Sequence, residues 1–301
     1  MKKIFYLIPF IFTMSVSSAQ QRPNIVLIIS DDHAFQAIGA YNNKVTTTPN
    51  IDRIANEGAV FKRAYVTNSI CGPSRATLLT GKYSHKNGFK DNETSTFDHN
   101  QDLFVKRLRV AGYQTAWIGK QHLGNKPQGF DYYSILPDQG QYYNPDFINS
   151  DGETEHIEGY VTNIITDKAE KWLDERDPEK PFCLIIGHKA THRTWIPDTA
   201  DFGMFDNKTF PLPANFYDTY EGRKAAGLQE MSIGKDLKMG YDLKMLTKLD
   251  IENESTVKRM NSAQRSKFDA YYGQIYKSFQ QQLSGKALAE WKYQRYMRDY
   301  M

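Results

Sequence analysis

Only two cysteines, Cys71 and Cys183, occur in 301 residues, so a disulfide-stapled scaffold is excluded and at most one bridge, Cys71 to Cys183, is available. Charge of one sign is also missing. The 38 basic and 35 acidic residues leave a net charge of +3, which gives no electrostatic footprint for nucleic acid. No stretch approaches the roughly 20 apolar residues that a membrane helix needs, and the apolar run from Ile4 to Phe12 is too short to span a bilayer. Internal repeats and low-complexity tracts are absent as well.

What is present begins with an export signature. Lys2 and Lys3 precede the apolar run and Ser17-Ser18-Ala19 follows it, the order of a secretory signal peptide cleaved after Ala19. Residues 1–19 are therefore expected to be removed, and the protein to be exported, periplasmic or secreted, with no membrane association. No cysteine lies near the cleavage site, so no lipid anchor is expected. About 280 residues would remain, enough for one large core or two smaller ones.

Asn24 to Ser30 (NIVLIIS) is a continuous β-branched apolar run, which predicts a strand buried on both faces in a parallel sheet. Pro49 to Glu57 reads as a short helix stopped by Gly58, and Ala59 to Val66 as a strand. Pro73 to Thr80 reads as a helix with proline at its first position and Gly81 beyond its last. Asp102 can cap a helix through Ala111, and Tyr113 to Ile118 is a further strand. Val161 to Glu175 carries an amphipathic helical stripe, and Phe182 to Gly187 is again a buried strand. This alternation predicts an α/β fold with a mostly parallel sheet flanked by helices. From Phe210 onward, Pro-rich loops give way to helical stretches, Ala287 to Tyr300 among them, without clear strands.

Ligands of such sheets sit outside the carboxyl ends of the strands. Three strands end in polar clusters: Asp31-Asp32, Lys120 with His122, and His188, Lys189 and His192. Adjacent carboxylates are hard-oxygen donors suited to calcium or magnesium, and equally a capping pair at a strand-to-loop turn. Cys71, two residues before the proposed first helical position, is a thiolate nucleophile, a disulfide partner or an inert thiol; Arg75 lies one turn further on. Lys120 and His122 alternate about Gln121, so both can face one side, the lysine for an oxyanion and the histidine for a proton, or both can be loop polarity. His192 is placed for a general acid, with His188 and Lys189 as substrate contacts or supporting residues. His33, His85, His99 and His156 have no supporting pattern.

Cys71-Gly72-Pro73-Ser74-Arg75 followed by Leu79-Thr80-Gly81-Lys82, the Pro23-Asn24-Ile25-Val26 strand with Asp31-Asp32, Gly119-Lys120-Gln121-His122-Leu123-Gly124, and Lys189 to His192 occur in one order. In that order they resemble the type I sulfatases of the alkaline phosphatase-like superfamily, over about residues 22 to 200. The resemblance implies that residues 20–301 hold a sulfatase catalytic domain. It further implies that a formylglycine-generating or anaerobic sulfatase-maturing enzyme oxidises Cys71 to formylglycine (3-oxoalanine), whose hydrate is the nucleophile. By the same resemblance Asp31, Asp32 and the group at position 71 bind one calcium ion. Arg75 orients the hydrate, Lys120 holds sulfate oxygens, His122 takes a proton to expel sulfate, and His192 lies against the leaving oxygen.

Asn144-Pro145-Asp146-Phe147, Gly159-Tyr160-Val161-Thr162 and His188 to Trp195 are similar to the sulfatases that act on N-acetylglucosamine 6-sulfate, implying a sulfated glycan of heparan or mucin type as substrate. The family's second metal pair has no match after His192, and the sequence reaches Met301 without the later strands. The resemblance therefore implies a truncated domain whose remaining metal ligands are not in these residues. A phosphonate or phosphate ester hydrolase using the same aldehyde, and an inactive binder of sulfated sugars, are the competing expectations.

Overall fold

Six strands build one sheet in the order β1-β6-β2-β3-β4-β5: β1 is Ile25–Ile29, β2 Gln114–Lys120, β3 Tyr132–Leu136, β4 Asp146–Asn149, β5 Thr154–His156 and β6 Phe182–Gly187. This computed structural model describes residues 22–41, 45–246, 255–279 and 282–301; the expected signal peptide, residues 1–19, lies outside them. β1, β6, β2 and β3 run parallel, and β4 and β5 add antiparallel pairs at one edge. The sheet is thus mostly parallel, as expected, with three parallel pairings and an antiparallel edge of two.

The helices pack where their apolar residues dictate. α1 (Pro49–Glu57), α2 (Cys71–Thr80), α3 (Ser84–Asn87) and α4 (Phe104–Val110) precede β2, and α5 (Val161–Glu175) joins β5 to β6. α5 lays Val161, Ile164, Ile165 and Ala169 on the face of the sheet that presents Ile118, Leu184 and Ile186. Burying each such large side chain stabilises by about 1.5–3 kcal/mol. On the opposite face, Ala76 and Leu79 of α2 and Val105 of α4 meet Trp117, Ile135 and Ile185. Neighbouring strand residues point to opposite faces, so β2 and β6 feed both layers.

β6 lies between β1 and β2, and all six of its residues are buried. β1 departs from expectation: it forms the sheet edge, and Val26 and Ile28 are 48% and 57% exposed. A continuous apolar run cannot distinguish burial on two faces from burial on one. Ala59 to Val66 forms no strand; Phe61, Tyr65 and Val66 are exposed there, and no described strand lies alongside to pair with it. Asp102 does not cap α4, whose cap is Leu103; its carboxylate instead accepts from Arg107 Nε at 2.8 Å.

Beyond β6 the described residues form turns and helices, among them α6 (Lys224–Gly227), α7 (Ser255–Lys258), α8 (Ser262–Ser278) and α9 (Gly285–Tyr300). A reciprocal cap between Asn261 and Gln264 starts α8. Phe268 and Tyr272 of α8 form one small core, and Tyr293 and Met297 of α9 form another with Phe210.

At the carboxyl ends of β2 and β6 the backbones meet through glycine. Gly119 stands beside Gly187. A Cβ on Gly119 would overlap the Gly187 carbonyl oxygen, and one on Gly187 would overlap the carbonyl oxygen of Lys120. Gly119 also has φ +94, where a side chain is strained.

Candidate active site

Asp31 lies two residues beyond β1, Lys120 is the last residue of β2 and His188 directly follows β6, so the three polar clusters lie at one end of the sheet. Asp31 and Lys120 are buried, at 4% and 0% exposure. Lys120 Nζ donates to Asp31 Oδ2 and to Gln139 Oε1, and Arg75 Nη2 donates to Asp31 Oδ1 at 3.3 Å. Burial would raise the Asp31 carboxyl, but Arg75 and Lys120 outweigh it and hold the group below the usual carboxylate range.

Cys71 is the first residue of α2, with Ile70 as cap. Pro73 is therefore the third helical residue, not the first, and the cysteine stands within the helix mouth. Its Sγ lies 2.9 Å from His122 Nδ1 and accepts from Asn92 Nδ2 at 3.0 Å. Burial would push the thiol up; the bond to His122, the Lys120 charge and the Asn92 bond outweigh it and bring the group down to about 7. Gly72 permits this junction. A Cβ there would come within 2.6 Å of Asn92 Oδ1 and 2.8 Å of the His122 carbonyl. His122 Nε2 lies 2.9 Å from Asp138 Oδ1, which orients the ring from its far side. Both cysteines are free thiols.

The predicted residues do not share one cavity: His122 lines, with Asn92 and Asp138, one of about 280 Å³, and most of the others divide between two more. Asp31, Asp32, Cys71 and Arg75 line a cavity of about 310 Å³. Lys189 and His192 line another of about 140 Å³ with Gln139, Tyr142 and Arg193. Lys120 lies between the groups, and Gln139 joins them, since Lys189 Nζ donates to its backbone oxygen at 3.1 Å. Burial and the Lys120 charge bring Lys189 down to about 8. His192 Nδ1 lies 2.6 Å from the Arg193 oxygen and its Nε2 3.9 Å from Asp32 Oδ2; burial, Lys120 and Lys189 lower it, favouring the neutral ring. His188 lines none of the three, and burial alone lowers its titration.

Asn92, Asp138 and Gln139 are site residues that the sequence pattern did not single out. Each stands in a connecting segment with no motif around it, and its role comes only from the partner it meets in space. His99, given no role, packs as a buried residue against Asn125.

The acidic pair suits a hard cation in kind, because both residues offer carboxylate oxygens beside Cys71. It does not complete a shell: among the described residues no group of three or more His, Cys, Asp or Glu could hold a metal ion. Asp31 is already shared between two cations, whereas Asp32 presents an exposed carboxylate.

A family profile described as Sulfatase matches residues 23–283. An N-acetylglucosamine-6-O-sulfatase of Bacteroides thetaiotaomicron is 50% identical over 292 residues, covering 93% of this chain and 52% of the relative. An N-acetylgalactosamine-6-sulfatase of Homo sapiens is 29% identical over 76% of this chain and 49% of the relative. A protein solved in complex with its substrate D-glucosamine-2-N,6-O-disulfate superposes with a TM-score of 0.89 at 49% identity, covering 93% of this chain and 58% of that one. The chain spans about half the length of the curated relatives it matches.

Proposed function

Because the chain belongs to the sulfatase family, we propose that it takes part in hydrolysing sulfate esters of glycans, removing the 6-O-sulfate of N-acetylglucosamine units in heparan- or mucin-type chains. The observation that carries the proposal is the contact of Cys71 with His122, flanked by the cations Lys120 and Arg75. The 50% identical relative supports the choice of sugar and position. We further propose export after loss of residues 1–19, and conversion of Cys71 to formylglycine by a maturation enzyme.

Formylglycine at position 71 would supply a hydrated aldehyde as nucleophile, and calcium, which Asp31 and Asp32 would hold in part, would offset charge on the sulfate. The chain's own residues do the rest. His122 Nδ1, 2.9 Å from the side chain of residue 71, takes a proton from it, with Asp138 holding the ring in register. Lys120 and Arg75 face the anionic group with fixed charge, their own repulsion balanced by Asp31. As the bond between sulfur and the sugar oxygen breaks, His192, in its protonated form, gives that oxygen a proton and the alcohol leaves; sulfate departs from residue 71 afterwards, when His122 takes the proton of the remaining hydroxyl there. Lys189 adds positive charge on the same side.

The test couples two measurements on protein co-expressed with a maturation enzyme. Mass spectrometry of the Cys71 peptide is expected to show the aldehyde. A screen of defined sulfated disaccharides is expected to show preference for 6-O-sulfated glucosamine. Preference for 2-O-sulfated uronate or 4-O-sulfated galactosamine would overturn the choice of sugar, and faster cleavage of phosphate esters would overturn the reaction class.

A further inference from the structure

Asp32 and Trp195 both hold left-handed backbone, φ 55 and φ 52, although neither is glycine. Residues other than glycine hold such backbone where their surroundings impose it. The surroundings of both come from the same place. Tyr300, in the last turn of α9, donates its hydroxyl hydrogen to the Asp32 carbonyl at 2.8 Å and accepts from the Ala34 N–H at 2.7 Å. One hydroxyl thus ties both ends of the Asp32-His33-Ala34 turn to a helix more than 260 positions away. The neighbouring residue, Asp299, accepts from Lys244 Nζ at 3.1 Å. Lys244 is buried and donates also to the carbonyls of Thr194 at 2.6 Å and Trp195 at 3.1 Å. Tyr296, one turn earlier on α9, sets its ring edge-on to Trp195 at 4.7 Å.

Tyr296, Asp299 and Tyr300 are spaced i, i+3 and i+4, which places them on one helix face. That face meets two turns, one carrying Asp32 and one opening at His192, whose Nε2 lies 3.9 Å from Asp32. The network is polar and enclosed: Asp299 also pairs with Arg295, and Asp242 takes Arg193 on both oxygens at 2.6 and 2.7 Å. Polar groups buried in this way hold one arrangement, because a displaced partner leaves an unpaired charge behind.

We propose that the last turn of α9 is a positioning element of the site: Tyr300 holds the Asp32 turn, and Asp299, through Lys244, holds the turn that follows His192, so that α9 sets the gap between the two. The role in turnover rests on the sulfatase reading above; the positioning itself does not. Tyr300 and Lys244 are positioning residues, touching neither the Cys71 side chain nor the sulfate side of the site.

The test is Tyr300→Phe in the full chain, which removes one hydroxyl and leaves the ring's packing in place. Amide hydrogen exchange is expected to speed up about tenfold or more at Ala34 and its neighbours, with α5 unchanged. Sulfate ester turnover is expected to fall about tenfold in kcat with KM within about twofold, because the ring of His192 loses its register to the acidic turn. Lys244→Met is the second variant, expected to loosen the amides of residues 192–196 while sparing Ala34. Unchanged exchange at Ala34 in Tyr300→Phe overturns the clamp, whatever the activity. Faster exchange with undiminished kcat overturns its part in catalysis. A wild-type protein without sulfate ester activity sinks the functional reading alone, and the exchange data still decide the clamp.

Discussion

At the mouth of α2, Cys71 meets a histidine ring, an asparagine amide and the charge of a buried lysine, and its thiol lies near 7. Near the start of β6, Cys183 stands between Ile25 and Thr115 of the neighbouring strands, and burial pushes it up to about 11. Both regions remove the sulfur from water. The difference is that the helix mouth returns hydrogen bonds and positive charge for the lost hydration, whereas the strand returns only packing. Thiol chemistry in this protein is therefore a property of the pocket, not of the residue type.

The sharpest way to break that contrast is to remove each sulfur in turn. Cys71→Ala, in protein matured by the converting enzyme, is expected to lower sulfate ester hydrolysis by roughly 1,000-fold or more, since the nucleophile is lost. Cys183→Ala is expected to leave the rate within about twofold and to cost about 1–2 kcal/mol in denaturant unfolding, as a small core void does. Equal losses of activity would mean that the two thiols are not functionally distinct.

A smaller effect is read in unconverted protein by alkylation with iodoacetamide. Cys71 is expected to react with a midpoint near pH 7, because about half of it is thiolate there. Cys183 is expected to stay unmodified in the folded state. Asn92→Ala, which removes one of the bonds to Sγ, is expected to move the Cys71 midpoint upward; an unmoved midpoint would assign the lowering to His122 and Lys120 alone.

The smallest effect concerns Lys189, a cation desolvated as Cys183 is, but ionised. Its folded titration, about 8, lies below the roughly 10.4 of an unfolded lysine. Between those values the unfolded chain binds more protons, so this group makes stability rise with pH from about 8 to about 10.4, and below 8 its full penalty applies. Lys189→Met is expected to raise the unfolding free energy at pH 7 by about 1–3 kcal/mol and to flatten that rise. Unfolding curves at pH 7, 8.5 and 10 check it, and a destabilised variant at pH 7 would refute it.

The parts of this fold that are legible in the sequence are those where local pattern and tertiary role coincide. β2, β6, α1 and α5 carry their periodicity within one segment, and Lys120 ends β2 while Asp31, His122 and His192 lie just beyond the strands that position them. β3 to β5 are short and stand at the sheet's antiparallel edge, where β5 is wholly exposed and has no apolar run to reveal it. Ala59 to Val66 has a strand's composition without a partner strand, which pairing requires and composition cannot report. Asn92, Gln139 and Tyr300 act across 21, 19 and 266 positions respectively. Nothing local distinguishes them from any other polar loop residue or aromatic helix residue.

Gly119 and Gly187 carry one more consequence. Most active sites adjust their spacing through side chains, which have rotamers to give. Here the ends of β2 and β6 touch backbone to backbone, with a carbonyl oxygen where each Cβ would stand. Lys120 follows one glycine directly, and His188 and Lys189 follow the other. The pitch between these groups thus works like a machined gauge block with no shim. Any thickening at the contact passes undiminished to Lys120 and Lys189, and the adaptable dimensions of the site are left to the turns around it.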